Sequence, residues 1–323
     1  MGRKQGPRKG SMQVWPRKRA EKILPRVNWR PILEMHDTGK PNLLGFIGYK
    51  VGMISAIVKD LTPNSLTKNK QIVLPGTIIE CPSMRVLAVR FYKGTNAALD
   101  ILAENLNKEL KRKIKTPKKP TRKIDDVKIG DYDNIKIIVY TLVKNTGIKK
   151  TPDIAEMGLK GTMQEKFDIA KDLMKKEIKI GDIFEKGQLI DVHSITKGKG
   201  FSGPVKRFGL SLKQHKSEKG VRRPGSLGPW HPARVTFRAP LAGQLGFFSR
   251  IQFNNKILDL NSVSSKDINP KSGFQNYGTV RGDYLVVKGS ISGSRKRALI
   301  LTFPMRIRKR REKEIFELVG VEK

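Results

Sequence analysis

Residues 197–250 hold twelve Lys/Arg, a single acid (Glu218) and nine glycines. They show no apolar period of helix or strand. Ordering about 54 such residues costs roughly 50–100 kcal/mol, at ~1–2 kcal/mol each. The few apolar side chains return only ~1.5–3 kcal/mol apiece. This stretch cannot supply its own core, so the sequence predicts that it takes shape only beside a polyanion that pairs with its charges. At its centre, "GSLGPWHPARVTFRAPLAGQLG" (225–246) sets Trp230 between Pro229 and Pro232, with no apolar neighbour at helix or strand spacing. The prolines narrow the conformations the segment must give up on ordering. Two uses remain open for Trp230: stacking on a base, or packing back on the folded body.

The whole chain repeats the bias. Its 323 residues include 66 Lys/Arg against 29 Asp/Glu, a formal charge of +37. A compact state with that charge repels itself unless a counter-charge is present, and the natural ones are nucleic acid and an anionic membrane. No run approaches the ~20 apolar residues a spanning helix needs. The N-terminal "MGRKQGPRKGSMQVWPRKRA" lacks the apolar stretch of a signal peptide. The expectation is therefore nucleic acid and no membrane. Cys81 is the only cysteine, which excludes an intrachain disulfide and a cysteine-type zinc site and fits the cytosol. His36, His193, His215 and His231 are scattered, and no metal site is expected.

Along the chain, residues 1–42 read as a basic N-terminal extension. Ten Lys/Arg face one acid, Glu21, in its first 31 positions, and Gly and Pro prevent an amphipathic helix. From Leu43 the pattern turns apolar. "LLGFIGYKVGMISAIVKD" predicts two strands with a turn near Gly48 to Gly52, and "QIVLPGTIIECPSMRVLAVRFY" two more β runs, broken at Pro75-Gly76 and at Pro82. "NAALDILAENLNKELKRKI" spaces Leu99, Leu102, Leu106 and Leu110 by three and four and predicts a helix. "NIKIIVYTLV" and "GQLIDVHSIT" predict strands. "KGTMQEKFDIAKDLMKKEI" predicts a second helix that Thr162 and Glu165 open with a capping box. After Arg250, "RIQFNNKILDL", "GDYLVVKGSI" and "RALILTF" predict strands again. The expected fold is a β plus α/β architecture: a β-barrel in three parts (43–80, 188–196, 251–305), an inserted α+β domain (81–187), the extended basic loop (197–250) and a basic tail (306–323).

"GKGFSG" (198–203) matches a dinucleotide fingerprint. With Pro204 next and no helical stripe after it, the expected use is a glycine turn close to an RNA backbone. His193, alternating within a strand, reads as a half-buried structural residue. His215 and His231 lie in the basic loop without a carboxylate and nucleophile to complete a triad, so RNA contact is expected of both. Asp125 and Asp126 read as solvated linker. The cations carry the prediction. Arg3, Lys4, Arg8, Lys9, Arg17, Lys18 and Arg19, with Trp15, form one candidate RNA-binding segment. Lys197, Lys199, Lys206, Arg207, Lys213, Lys216, Arg222 and Arg223 form another. Arg234, Arg238, Gln244 and Arg250 flank Trp230 and His231, and Arg295, Lys296 and Arg297 form a last cluster. Charge carried on irregular segments suits threading between RNA helices, where phosphate pairing dominates affinity.

The stretches "GSMQVWPRKRA" (10–20), "GFIGYKVGM" (45–53), "ECPSMRVLA" (80–88), "GTMQEKFDIA" (161–170), "IDVHSITKGKGFSG" (190–203), "PWHPARVTFRAPLAGQLG" (229–246) and "INPKSGFQNYG" (268–278) follow one another in family order. Together they resemble the universal large-subunit ribosomal protein L-three family in its archaeal/eukaryotic form. The resemblance implies a translation-protein-type β-barrel with extensions that penetrate ribosomal RNA, and a role in early subunit assembly. It makes the loop around Trp230 and His231 the family's tryptophan finger, reaching toward the peptidyl-transferase region, and places residues 10–20 beside it. The chain lacks the long C-terminal extension of eukaryotic members, so archaeal origin is expected. The implied partners are large-subunit (23S-type) rRNA and neighbouring proteins, with L-fourteen and L-twenty-four-e as candidates. No homo-oligomer is expected, and no cofactor beyond Mg2+ accompanying the RNA.

The expected function is non-enzymatic: a cytoplasmic constituent of the large ribosomal subunit. Two rivals stay open on residues alone. An RNA-modifying enzyme would need a cofactor pocket, and a DNA-compacting protein would bind duplex DNA and rRNA alike at matched salt.

Overall fold

The glycine-punctuated run after Leu44 forms one strand, β1 (Gly45–Asp60), and not two strands with a turn. Its glycines admit neighbours instead of reversing the chain. A Cβ at Gly48 would stand 2.5 Å from Cγ2 of Ile79, and one at Gly45 would stand 2.7 Å from the Trp29 ring. Beside it runs β2 (Gln71–Glu80), unbroken by Pro75-Gly76. Pro75 pairs with Ser55, and its carbonyl accepts from the Gly289 amide at 2.7 Å. A register shift between Lys50 and Gly52 marks a bulge in the pairing. The computed structural model describes residues 14–35, 42–117 and 122–322.

β3 (Met84–Lys93) and β4 (Asn96–Leu102) form a hairpin where the leucine spacing predicts a helix. Gly94, at φ +60°, supplies the turn. Cross-strand pairing such as Phe91 with Leu99 then imposes period two, which buries Ile101, a residue outside the leucine stripe. Only a short 3₁₀ turn, Lys108–Arg112, remains of the predicted helix. β5 (Asn134–Thr141) and β6 (Ile154–Gly158) complete a four-stranded sheet in the order β4-β3-β5-β6. The short helix α1 (Arg30–Met35) precedes β1. The capping-box helix α2 (Met163–Lys175) forms as predicted and buries Phe167 and Ala170.

The remaining strands are β7 (Leu189–Ile195), the two-residue β8 (Phe201–Ser202) and β9 (Gly243–Gln244), β10 (Ser249–Ser262), β11 (Asp283–Lys288), β12 (Ala298–Thr302) and β13 (Phe316–Glu322). That makes thirteen strands among the described residues. Seven form one sheet, ordered β12-β7-β10-β11-β2-β1-β13, in which β12 also pairs with β1 from Gly45↔Thr302 to Tyr49↔Ala298. β13 lies in a segment read from sequence only for its charge. Its buried Leu318 sits two residues from the partly buried Phe316, a short period-two pattern.

Two compact units emerge: residues 23–194 with 251–323, and residues 1–22 with 195–250. In the first, one apolar cluster runs from Phe46, Ile47 and Tyr49 to Phe91, Ile135 and Phe167, so both sheets share a core. Trp29 joins them, with its ring against Gly45 and Gly158 and its Nε1 donating to the Glu156 carbonyl at 3.2 Å. His193 is fully buried, at 3% exposure, not half-buried as its alternation predicts. Its Nε2 lies 3.2 Å from Thr302 Oγ1.

Candidate nucleic-acid interface

In the second unit a narrow stem gathers the ends of the basic loop. β8 pairs with β9 as Phe201↔Gln244 and Ser202↔Gly243. Lys199 N donates to Leu245 O at 2.9 Å, and Leu245 N donates to Gly200 O at 2.8 Å. Gly246, at φ +69°, lets the chain cross beneath Lys197, whose carbonyl oxygen would collide with any Cβ there. The Gln244 side chain folds back onto its own turn, donating to the carbonyls of Leu245 and Gly246.

Directly after β8 comes α3 (Pro204–Phe208), where the sequence reading has no helix. Proline is well suited to the first position of a helix, and Gly209, left-handed at φ +65°, ends it. The helix gives "GKGFSG" the strand-helix setting its rejection denied, but Pro204 lacks an amide hydrogen, so a phosphate cradle there loses one donor.

The N-terminal segment lies on this stem. Ala20 N donates to Phe247 O at 2.9 Å. Trp15 stands edge-on to Phe208 and Phe237. Arg17 and Arg19 sit over aromatic rings, with Cζ 4.4 Å from the Phe208 centroid and 5.7 Å from that of Phe247. At its base, then, the basic loop does acquire a small core. Phe208, Ala239 and Phe248 are buried, and residues far away in sequence complete what the loop alone lacks.

Beyond the stem the arrangement changes. No residue from Gly209 to Arg238 is buried, and seven Lys/Arg there face one acid, Glu218. Lys213, His215, Lys216, Arg222, Arg223, Arg234 and Arg238 are all exposed. Trp230 is 88% exposed, and its only ring contact among the described residues is with its neighbour His231, 6.5 Å between centroids. It does not pack back on a core. Lys18, Lys197, Lys199 and Lys206 are likewise exposed on the stem side, while Arg207 and Arg250 are half-buried. Arg295, Lys296 and Arg297 belong to the other unit, where Lys296 N donates to Lys50 O at 2.8 Å. Arg3, Lys4, Arg8, Lys9 and His36 lie outside the described residues. The sequence reading missed Phe208, Phe237 and Phe247. For two of them a signal was available, since Phe208 follows Arg207 and Phe237 precedes Arg238 in the basic stretch.

The family model described as "Ribosomal protein L3" matches residues 1–318. The chain belongs to the ribosomal protein L3 family. It is 42% identical over 320 residues to the large ribosomal subunit protein uL3 of Methanobrevibacter smithii, covering 95% of this chain and 94% of the relative. It is 40% identical over 315 residues to that of Methanococcoides burtonii, covering 93% and 92%. With the uL3 of Methanococcus vannielii it shares 40% over 310 residues, covering 93% and 91%. The relatives are archaeal, in line with the origin expected from the sequence. For an L3-family chain the matched span takes in the stem, the exposed loop and the N-terminal segment alike.

Proposed function

We propose that this chain is a structural, non-enzymatic constituent of the large ribosomal subunit in the cytoplasm, and that its N-terminal segment and exposed loop are threaded into 23S-type rRNA. One observation carries the reading: a cationic segment of some thirty residues, Gly209 to Arg238, has no buried residue. Its ordering cost, roughly 1–2 kcal/mol per residue, has to be met from outside the protein. RNA meets it through phosphate pairing and through base stacking at Trp230. Membership in the L3 family supports the same partner.

On this reading the finger helps to hold RNA near the peptidyl-transferase region, and the chain joins the subunit early in its assembly. The pairing of β12 with β1 supports a barrel built from six strands of the larger sheet, with the sheet around β3 and β5 as the insertion. Large-subunit proteins of the L-fourteen and L-twenty-four-e families are the proposed neighbours, and Mg2+ accompanies the RNA.

The test is co-sedimentation of the native protein with large subunits, followed by crosslinking of residues 225–246 to RNA. Crosslinks to a defined site in large-subunit rRNA are expected. Equal crosslinking to duplex DNA at matched salt would overturn the reading in favour of a general polyanion binder.

A further inference from the structure

Arg17 and Arg207 meet at the stem, and Arg250, at its end, lies near enough for the charge of Arg17 to act on it. Arg17 donates from Nη1 to the Arg207 carbonyl oxygen at 3.1 Å, across 190 sequence positions. The ring of Phe208 carries both guanidinium groups, with Arg17 Cζ 4.4 Å and Arg207 Cζ 5.2 Å from its centroid. Arg207 is held in place: Nε donates to Gln244 O at 3.0 Å and Nη1 to Leu241 O at 2.9 Å. The space it occupies exists because position 243 is glycine; a Cβ there would stand 3.0 Å from the guanidinium carbon. Arg250 lies over Phe248 at 4.8 Å. Burial first, and the charge of Arg17 second, pull both Arg207 and Arg250 below the ordinary arginine value.

All three arginines are half-buried, and none has a carboxylate partner among the described residues. The unit they share contains just two acids, Glu21 and Glu218, and both are exposed. Half-buried Arg85 and Arg90 of the other unit do meet carboxylates, Arg85 that of Glu177 and Arg90 those of Asp100 and Glu156. The positive charge of the stem is thus not balanced by carboxylates of its own unit.

We propose that Arg17, Arg207 and Arg250 together bind one backbone phosphate of RNA, and that this phosphate fastens the N-terminal segment to the base of the finger. The proposal rests on the RNA-binding reading above and adds a defined joint to it. Guanidinium forks match phosphate oxygens in pairs. With Nε and Nη1 of Arg207 committed to carbonyls, Nη2 is left for the anion, and Arg17 offers Nε and Nη2. Because the cations come from three segments, the anion binds tightly only when the N-terminal segment is docked. By reciprocity, the anion tightens the docking.

The test uses the full-length protein and purified 23S-type rRNA, with hydrogen exchange followed over residues 14–22 and 201–250. The rRNA is expected to protect both segments together. R17Q and R250Q should each lower the slope of log K against log salt by about 0.7–0.9 and abolish the joint protection. R17K should retain most of the slope. R223Q, on the exposed finger, should lower the slope similarly while residues 14–22 stay protected. Inorganic phosphate at millimolar concentration that reproduces the protection would mark a free-anion site and overturn the RNA assignment. An R17Q protein with unchanged slope and protection would overturn the joint alone, whereas wild-type protein that binds rRNA without salt dependence would sink the RNA reading itself.

Discussion

The ring of Trp15 stands edge-on to that of Phe237, with centroids 5.6 Å apart and planes at 66°. The same indole meets Phe208 at 6.2 Å and 83°. One residue of the N-terminal segment thus holds both limbs of the basic loop, the one that leaves the stem and the one that returns. Edge-on aromatic pairs contribute about 0.5–1.5 kcal/mol each beyond area burial. Trp15→Ala should free the returning limb, seen as faster proteolysis and hydrogen exchange over residues 237–248. A double-mutant cycle with Phe237→Ala should give a coupling of about 0.5–1.5 kcal/mol, and a cycle that sums to zero would count against the contact.

Trp230 presents the opposite case. At 88% exposure it adds almost nothing to the fold, so Trp230→Ala should leave thermal unfolding within about 0.5 kcal/mol of wild type. Loss of a stacked base costs about 1–3 kcal/mol. The expected result is an unchanged melt together with altered RNA probing around the peptidyl-transferase region and altered handling of tRNA or factors. Unchanged translation kinetics and probing would defeat the stacking role.

Gly246→Ala places a Cβ against the Lys197 carbonyl at a left-handed backbone position. Strain of this kind costs on the order of 1–3 kcal/mol, and the backbone clash adds to it. The stem should open, with loss of exchange protection at Lys199 and Leu245, whose amides close it, while β1 and β2 keep theirs. Equal protection in the variant would show that the crossing is not tight.

His193 provides a pH test. Burial lowers its pKa to about 4, while in the unfolded chain it titrates near 6.5. Between those values the unfolded state binds the extra proton, so stability falls as pH drops from about 6.5 to 4 and changes no further below that on this account. The difference corresponds to about 3 kcal/mol, at roughly 1.4 kcal/mol per pKa unit. In denaturant titrations across that window, His193→Gln should show a flatter pH dependence than wild type. Parallel curves would show that His193 is not the group responsible.

Where a local rule met no competitor, the sequence was legible. Thr162 and Glu165 marked the start of α2, and the β-branched run at 134–141 was a strand because its neighbours on both sides are strands. The leucines at 99, 102, 106 and 110 misled because Gly94 turns the chain, and pairing with β3 then outweighs a helical stripe. Gly48 misled for a different reason, since a glycine needed for close approach reads the same as one needed for a turn. Pro75 did not break β2 because its carbonyl still finds a donor in Gly289.

At the candidate interface, charge was readable residue by residue, and of the two placements left open for Trp230 the structure has the exposed one. The stem was not readable. Its core joins residues 15–20 to residues 208–248, and no window along one segment contains both halves of that contact. The half-buried arginines share this origin: in sequence Arg17 and Arg207 look like Lys18 and Lys206, and the ring of Phe208 and the carbonyls they donate to set them apart.

The placement of β13 sets a timetable for the fold. Its residues pair with Ser55 to Asp60 of β1, so one flank of that early strand waits for partners made some 260 residues later. At a synthesis rate of about 5–20 residues per second, the delay is on the order of tens of seconds, during which Ser55 to Asp60 present open amides and carbonyls to any passing chain. A nascent polypeptide stalled before Phe316 would keep that seam unzipped, and aggregation through it, more than loss of the RNA contacts, would be the mark of interrupted translation.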